Sequence, residues 1–305
     1  MRVSVIIPTY NGAHKISGVL ESLVCQTRQP DEVLVVVDGS TDSTLQVAEQ
    51  FSSRLTGLRI IIQENLGRAK VRNRGAREAT GDLLIFFDDD MIPEAGCLES
   101  HWVAHQIEGN RIIVGSIPDL SETTDFQRYR KFLSAKWEKP LMEFREKPMD
   151  SAHIYLSAAN FSIKAADFKR MSGFDPRIND AEDFDFAVRS FGVGLPIVFV
   201  PRAKAWHNDP VSVTSYVKRL RQYRNSHQRL RSLEPLRYQA VPFHEPKSPR
   251  GLKGLLFRFF ARRVWITAIE KQIFLHFLPR SLRYKLYDLI VTANGSFYPD
   301  KVSID

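Results

Sequence analysis

Short, almost unbroken apolar runs recur through the first 115 residues, and each stops at a polar cluster. Val3–Ile7, Glu32–Val37, Arg59–Gln63, Leu83–Phe87 and Arg111–Gly115 read as strands rich in Val, Ile, Leu and Phe. Continuous rather than alternating hydrophobicity predicts strands covered on both faces, as in a mostly parallel sheet. Between them, Ser17–Cys25, Ser43–Phe51 and Arg68–Ala79 carry helical patterns, with Asp42 and Ser43 as N-cap candidates for the second. Strand and helix in alternation predict an α/β, doubly wound sheet whose ligands bind at the carboxyl ends of the strands.

The pattern then changes. Residues 120–150 are charged and weakly periodic, which suits helix and loop. An apolar section, Ile154–Ile163, opens a region that ends in a strand over Pro196–Val200. After Pro210, Val213, Tyr216, Val217, Leu220, Tyr223, His227 and Leu230 mark one face of a helix, and arginines fill much of the remainder. Residues 241–251 contain three prolines and a glycine and read as a linker, followed by a helical segment over about Leu252–Leu278. No internal repeat is visible. The expected division is 1–210, with a nucleotide-binding half over 1–115 and an acceptor half over 116–210, and then a basic helical extension over 211–305.

Composition adds limits. With 305 residues and 43% hydrophobic content the chain can bury a large core, and nothing in the composition suggests disorder. Cys25 and Cys97 form neither a disulfide framework nor a metal pair, which fits a reducing compartment. The opening Met1–Pro8 run is too short for a secretory signal core, so no secretion is expected. No stretch approaches the roughly 18 apolar residues of a membrane span. The expectation is a cytoplasmic protein. The net charge of +8 is uneven: residues 211–305 hold 18 Lys and Arg against 6 Asp and Glu, or +12, and residues 1–210 sum to −4. A mildly acidic front joined to a basic rear suggests a catalytic part carried by a part that meets an anionic surface.

Four polar clusters could carry chemistry. Pro8-Thr9-Tyr10-Asn11-Gly12 and Asp38-Gly39-Ser40-Thr41-Asp42 follow the first two strands. Asp38 suits hydrogen bonding to a nucleobase or ribose, while a plain turn with a helix cap explains the same residues. Asp88-Asp89-Asp90 follows a strand that reads as buried, where three adjacent carboxylates repel one another. A divalent cation with oxygen ligands relieves that repulsion; a solvated acidic loop is the alternative. Glu182-Asp183-Phe184-Asp185 could supply a general base or simply an acidic helix N-terminus. His207 gains interest only as a nitrogen ligand beside the triple aspartate.

In their order and spacing these clusters resemble the family 2 glycosyltransferases, which have the GT-A fold. The residues that carry the resemblance are Val3–Asn11, Val37-Asp38-Gly39-Ser40-Thr41-Asp42, Asn65-Leu66-Gly67, Arg72-Asn73-Arg74-Gly75 and Gly81-Asp82 leading to Asp88-Asp89-Asp90. The second half adds Ala159-Asn160-Phe161-Ser162, Ser172-Gly173-Phe174-Asp175, Glu182-Asp183 and His207, so that about residues 1–210 are covered. One departure is Val37, where the family often has a further aspartate.

The resemblance implies an inverting transfer from a nucleotide-diphosphate sugar to a glycan or lipid-linked acceptor hydroxyl. It implies a donor pocket of Pro8, Thr9, Tyr10, Asn11, Asp38, Lys70, Arg72, Asp88 and Asp89. Asp90, His207 and Asp88 would hold a divalent metal, Mn²⁺ before Mg²⁺. Asp183 would be the base, with Glu182 and Asn160 on the acceptor side. A nucleotidyltransferase that makes nucleotide sugars would instead show a Gly-rich phosphate loop after the first strand. The other alternative is a non-catalytic nucleic-acid or membrane binder with a degenerate GT-A domain, in which the aspartates have lost their purpose; no nucleic-acid partner is expected. Bulky apolar residues interleaved with arginine and lysine beyond Leu252 suit an interfacial helix on anionic lipid, or else a face packed within the protein.

Overall fold

The computed structural model describes residues 1–178, 180–239, 248–273 and 277–301. Seven strands form the central sheet: β1 Val3–Thr9, β2 Glu32–Asp38, β3 Leu58–Gln63, β4 Leu83–Phe87, β6 Ile112–Gly115, β7 Asn160–Lys164 and β8 Ile197–Val200. Their order is β3-β2-β1-β4-β7-β6-β8. All neighbours are parallel except β7, which runs antiparallel to both β4 and β6. A small second sheet pairs β5 (Met91–Pro93) with β9 (Ala205–His207). The expected mixed α/β architecture with a mostly parallel sheet is the one observed.

Every residue of β1, β2 and β4 is buried, because helices cover both faces. Alternate positions serve different cores. Val5, Ile7, Val35, Val37, Ile85 and Phe87 pack beneath α1 (Ile16–Val24) and α4 (Cys97–Ala104). Ile6, Leu34, Leu84, Phe86 and Phe161 pack on the other side with Ala69 of α3 (Arg68–Glu78), Phe168 of α6 (Ala165–Arg170) and Phe186 of α7 (Glu182–Gly192). A stack of Phe86 on Phe161, with ring centroids 4.6 Å apart, joins β4 to β7.

Several expectations need adjusting. β1 and β2 run further than their apolar cores suggest and end on Thr9 and Asp38, because backbone pairing continues into the polar residues. The apolar section Ile154–Ile163 is strand only from Asn160. Ser43 occupies the N-cap of α2 (Thr44–Glu49), but its side chain makes no capping bond; Asp42 Oδ1 instead accepts from the Thr44 amide. The segment after Leu252 is two helices, α10 (Gly251–Phe260) and α11 (Arg263–Glu270), broken at Ala261 and Arg262. Most of the expected linker, residues 241–247, lies outside the described residues.

The rear helices do not hang free. α5 (Asp125–Leu141), α8 (Val213–Leu233), α11 and α12 (Arg280–Thr292) share one aromatic-rich core with Phe126, Tyr129, Val217, Ile269 and Tyr287. Asp125 anchors the junction, accepting from Arg283 Nη2 at 2.9 Å and from the Tyr287 hydroxyl at 2.8 Å. α9 (Pro235–Gln239) adds Tyr238, whose hydroxyl donates to buried Asp185 at 2.6 Å.

Gly75 sets how closely α3 lies on the sheet. A Cβ there would sit 2.5 Å from Ile6 Cγ2 and 3.2 Å from Val36 Cγ2. Gly75→Ala must push α3 outwards, and overpacking of this kind costs about 1–3 kcal/mol. The expected result is a lower urea midpoint with an unchanged slope; an unchanged midpoint would show that the helix can shift without loss.

Candidate active site

The site is built where β1, β2 and β4 end side by side. Just past β1, Asn11 takes a left-handed backbone (φ 47). Its side-chain oxygen accepts from the Thr41 amide at 2.8 Å, and its own amide donates to Ser40 Oγ at 2.9 Å. These bonds tie the first loop to the second. Gly12 permits the next contact: a Cβ there would lie 2.3 Å from Thr9 Oγ1 and 2.5 Å from Asp89 Oδ2. The Thr9 hydroxyl donates to that same Asp89 oxygen at 2.6 Å.

Asp38 shapes the opposite wall. It accepts from Gln63 Nε2 at 2.7 Å and from the amides of Leu66 and Gly67 at 2.9 and 3.0 Å. Three bonds leave one of about four acceptor sites on the carboxylate unused. Pro8, Thr9, Tyr10, Asp38, Arg72, Asp88, Asp89 and Asp90 all line one cleft of about 350 Å³. Two expected members do not line it. Asn11 spends its side chain on the loop tie, and Lys70 sits on the exposed face of α3. Lys15, Asn65, Gly67 and Arg68 line the cleft without having been singled out for it. For Lys15 the only signal was a lone cation four residues after Asn11, too common to notice.

The three aspartates are not left to repel one another. Arg72 reaches from α3 to Asp88, Lys15 contacts Asp89 at 2.8 Å and Asp90 at 3.5 Å, and His207 Nε2 faces Asp90 Oδ1 at 3.6 Å. Protein cations therefore meet much of the repulsion that the sequence assigned to a metal. Burial raises the Asp89 pKa, and Lys15 and Thr9 only partly oppose it. Burial also works against the ionised Asp90 and the charged His207. Here the mutual attraction wins: Asp90 is held well below the usual carboxylate range, and Asp119 and Asp90 raise His207 to about 10.

A group with the geometry to hold a cation nevertheless remains. Ligand atoms of Asp90, His207 and Asp209 lie within 4.8 Å of one another. Asp90 Oδ1 is buried and, among the described residues, accepts no hydrogen bond. β9 aims His207 by pairing with Met91, its amide donates to Pro118 O at 2.9 Å, and Asn208 N donates to Asp90 O at 2.8 Å. Asp119 faces the other ring nitrogen at 3.5 Å, the arrangement that fixes an imidazole for metal ligation once an incoming ion displaces the proton on Nε2. Two carboxylates and an imidazole suit a divalent ion of intermediate hardness. Asp209 was missed, although its place two residues after His207 is a ligand-like spacing. Asp88 is outside this group, because Arg72 holds it.

The acidic cluster of α7 divides three ways. Glu182 is buried 2.7 Å from Arg72 Nη1, and Asp185 is buried 2.7 Å from Arg189 Nε. Asp183 accepts from the amides of Phe184 at 2.8 Å and Ala158 at 3.5 Å. Burial raises its pKa, and these backbone bonds offset only part of that. Asn160 departs from its expected place on the acceptor side. It is wholly buried, with Nδ2 donating to Ala203 O and Ser116 O and Oδ1 facing His101 Nε2 at 2.9 Å. Its neighbour Gly115 has no room for a Cβ, which would meet Asn160 Nδ2 at 2.2 Å.

The sequence model of glycosyl transferase family 2 matches residues 4–170. The chain belongs to this family. A validoxylamine A glucosyltransferase of Streptomyces hygroscopicus subsp. limoneus is 31% identical over 222 residues, which is 64% of this chain and 49% of that protein. The chain spans about half or less of the length of the first curated relatives it matches. Among solved structures, the mannosyltransferase PcManGT from Pyrobaculum calidifontis, in complex with GDP-Man and Mn²⁺, superposes with a TM-score of 0.62 at 18% identity, over 99% of this chain and 88% of that one. S. aureus TarS in complex with UDP-GlcNAc gives 0.56 at 19% identity, over 96% and 89%. These two likenesses establish the GT-A fold. The family match also sets aside the nucleotidyltransferase.

In this family 2 chain, Arg72 is the shared partner of Asp88 and Glu182, so its loss leaves Glu182 buried beside Asp183 without its ion-pair partner. Burial already raises the Glu182 pKa against the pull of Arg72. Without Arg72 it rises further. The folded carboxyl then holds its proton above the ordinary glutamate value of about 4.3, and stability falls as pH climbs past that value. Arg72→Met should cost about 3–5 kcal/mol at neutral pH and less at pH 4.5. Urea denaturation at both values checks the sign; an equal loss at both would mean that Glu182 is not responsible.

Proposed function

We propose that the chain transfers a sugar from a nucleotide-diphosphate sugar to an acceptor hydroxyl by direct displacement, with inversion and with metal assistance. One observation carries the reading: Asp90 lines the cleft at the strand ends and also belongs to the Asp90, His207 and Asp209 group. Relatives and neighbours named as glycosyltransferases, some solved with nucleotide sugars and Mn²⁺, support it.

Within this reading Tyr10, half exposed at the rim, offers a flat face to the nucleobase, and the spare acceptor site of Asp38 takes a base or ribose donor. Lys15 and Arg68 bring positive charge to the diphosphate end. Asp90, His207 and Asp209 would hold the divalent ion, Mn²⁺ before Mg²⁺ because a nitrogen ligand is present. When bound, such an ion stabilises the charge that develops on the departing diphosphate. Asp183 takes the proton of the acceptor hydroxyl as its oxygen forms the new bond to the anomeric carbon. The old carbon–oxygen pair leaves with the nucleoside diphosphate. A base with a raised pKa suits proton removal near neutrality.

A panel of nucleotide sugars, assayed for hydrolysis and transfer with Mn²⁺, tests the reaction. Asp183→Asn should keep donor binding while turnover falls by about 10²–10⁴-fold. The wild-type rate should climb with pH as the raised carboxyl ionises, and that limb should vanish in the variant. Near-normal turnover in Asp183→Asn would remove Asp183 from the role.

We further infer that the rear of the chain rests on an anionic membrane surface. Among the described residues no helix is long and apolar enough to cross one. α10, however, is apolar on two sides. Gly254 and Phe257 pack inwards against Pro249 and Phe297. Leu252, Leu255, Leu256 and Phe259 form one outward face and are 86%, 62%, 48% and 44% exposed. Exposed Lys253 and Arg258 flank that face, and residues 246–269 hold six basic and no acidic side chains. A second copy of this chain would meet the stripe with the same positive charge, whereas anionic headgroups complement it. In flotation assays the full chain should bind phosphatidylglycerol vesicles at low salt and be only partly released by high salt. Leu252→Ser with Leu255→Ser should abolish the salt-resistant part. Equal indifference to anionic and neutral vesicles would overturn the inference.

A further inference from the structure

A second cavity, of about 320 Å³, opens beside the site between the end of β6 and α5. Ser116, Trp137, Glu138, Leu141, Tyr155 and Phe199 form its walls. Two of its edges lead into the machinery already described. The chain leaving Ser116 runs to Asp119, which backs His207, and the chain leaving Tyr155 runs to Ala158, whose amide donates to Asp183. With Asn160 buried, these walls are the polar and aromatic surface that the 116–160 region offers next to the base.

The lining combines two chemistries. Trp137 is 55% exposed and Tyr155 36% exposed, large aromatic surfaces left uncovered in a concave setting. Arg130 lies over the Trp137 ring at 5.5 Å and helps to hold the indole in place. Beside them both Glu138 oxygens lie 2.9 Å from Ser116 Oγ, so one hydroxyl satisfies the carboxylate only in part. A ligand that fits needs a flat apolar face and an edge of hydroxyl donors. A pyranose ring has both. A phosphate would be repelled by Glu138, and a polyprenyl chain would leave that carboxylate without a donor. The volume sits at the lower end of the roughly 300–1,000 Å³ of small-ligand sites, room for a terminal sugar rather than a polymer.

We propose that this cavity is the acceptor subsite, in which a terminal pyranose of a glycosidic acceptor stacks on Trp137 and Tyr155, binds Glu138 through its hydroxyls and presents one hydroxyl towards Asp183. The proposal rests on the glycosyl-transfer reading above and names its acceptor as a glycoside. A tyrosine phenol is protonated at neutral pH, so that of Tyr155 can donate to a sugar oxygen.

The test is saturation-transfer NMR on the full chain with methyl α- and β-pyranosides of glucose, galactose, mannose and N-acetylglucosamine, each with Mn²⁺ and either UDP or GDP. At least one glycoside should bind, with the strongest transfer at ring protons of its apolar face. Trp137→Ala should weaken that glycoside by about ten-fold, the size of one lost aromatic contact. Glu138→Gln should change which glycoside is preferred. Melting curves confirm that both variants fold, which the exposure of Trp137 favours. No glycoside binding although a nucleotide binds, or glycoside binding indifferent to both substitutions, overturns the acceptor subsite alone. If neither nucleotide binds, the donor reading fails instead, so the two failures are distinct.

Discussion

Three carboxylates in a row at the end of a buried strand are the constraint around which the rest of the molecule is arranged. Asp88, Asp89 and Asp90 leave β4 together, and each is met by a cation from a different direction. Arg72 comes from α3, Lys15 from the start of α1 and His207 from β9. Burial alone would drive these acids towards their neutral forms. The close seating of α3 at Gly75, the loop ties through Asn11 and the pairing of β5 with β9 all serve to deliver those charges. Charge compensation of this kind is local and directional, so it demands an ordered backbone from three separate parts of the chain. A metal would join a site that is already largely neutralised.

The same network separates residues that look alike in sequence. Glu182, Asp183 and Asp185 sit within one helical turn, yet Glu182 faces Arg72, Asp185 faces Arg189 and Tyr238, and Asp183 is bound by backbone amides. Salt bridges give the first two structural roles. Asp183 is left with a raised pKa and with the cavity of Trp137 and Tyr155 close by.

How much of this could be read from the sequence follows from what each feature depends on. β1, β2 and β4 were legible because fully buried strands write themselves as continuous apolar runs. The cleft residues of those strands were legible because strand ends are where such sheets bind ligands. The antiparallel β7 was not, since direction depends on how the chain returns rather than on any local pattern. Asn160 was misjudged because a polar residue at the start of a strand looks the same whether it faces a ligand or caps carbonyls in the core. Lys15 was missed because its partners Asp89 and Asp90 lie 74 and 75 residues away, and Asp209 because, although His207 is only two residues off, Asp90 is 119 residues away. The break between α10 and α11 fell within an unbroken run of helix-compatible residues, where periodicity gives no warning.

α5 ties two of these regions into one rigid piece. Its first turn is gripped by Arg283 and Tyr287 through Asp125, and its last turns carry Trp137 and Glu138. A helix of 17 residues measures about 25 Å from end to end. It therefore acts as a strut of set length between the rear helices and the second cavity. Any surface on which the rear rests becomes a reference plane, and the mouth of the cavity is held at a constant height and tilt above it. Selection by reach would then accompany selection by chemistry. Groups projecting from that plane by the matching distance could enter, and identical groups lying flat on it or far out in solution would be passed over.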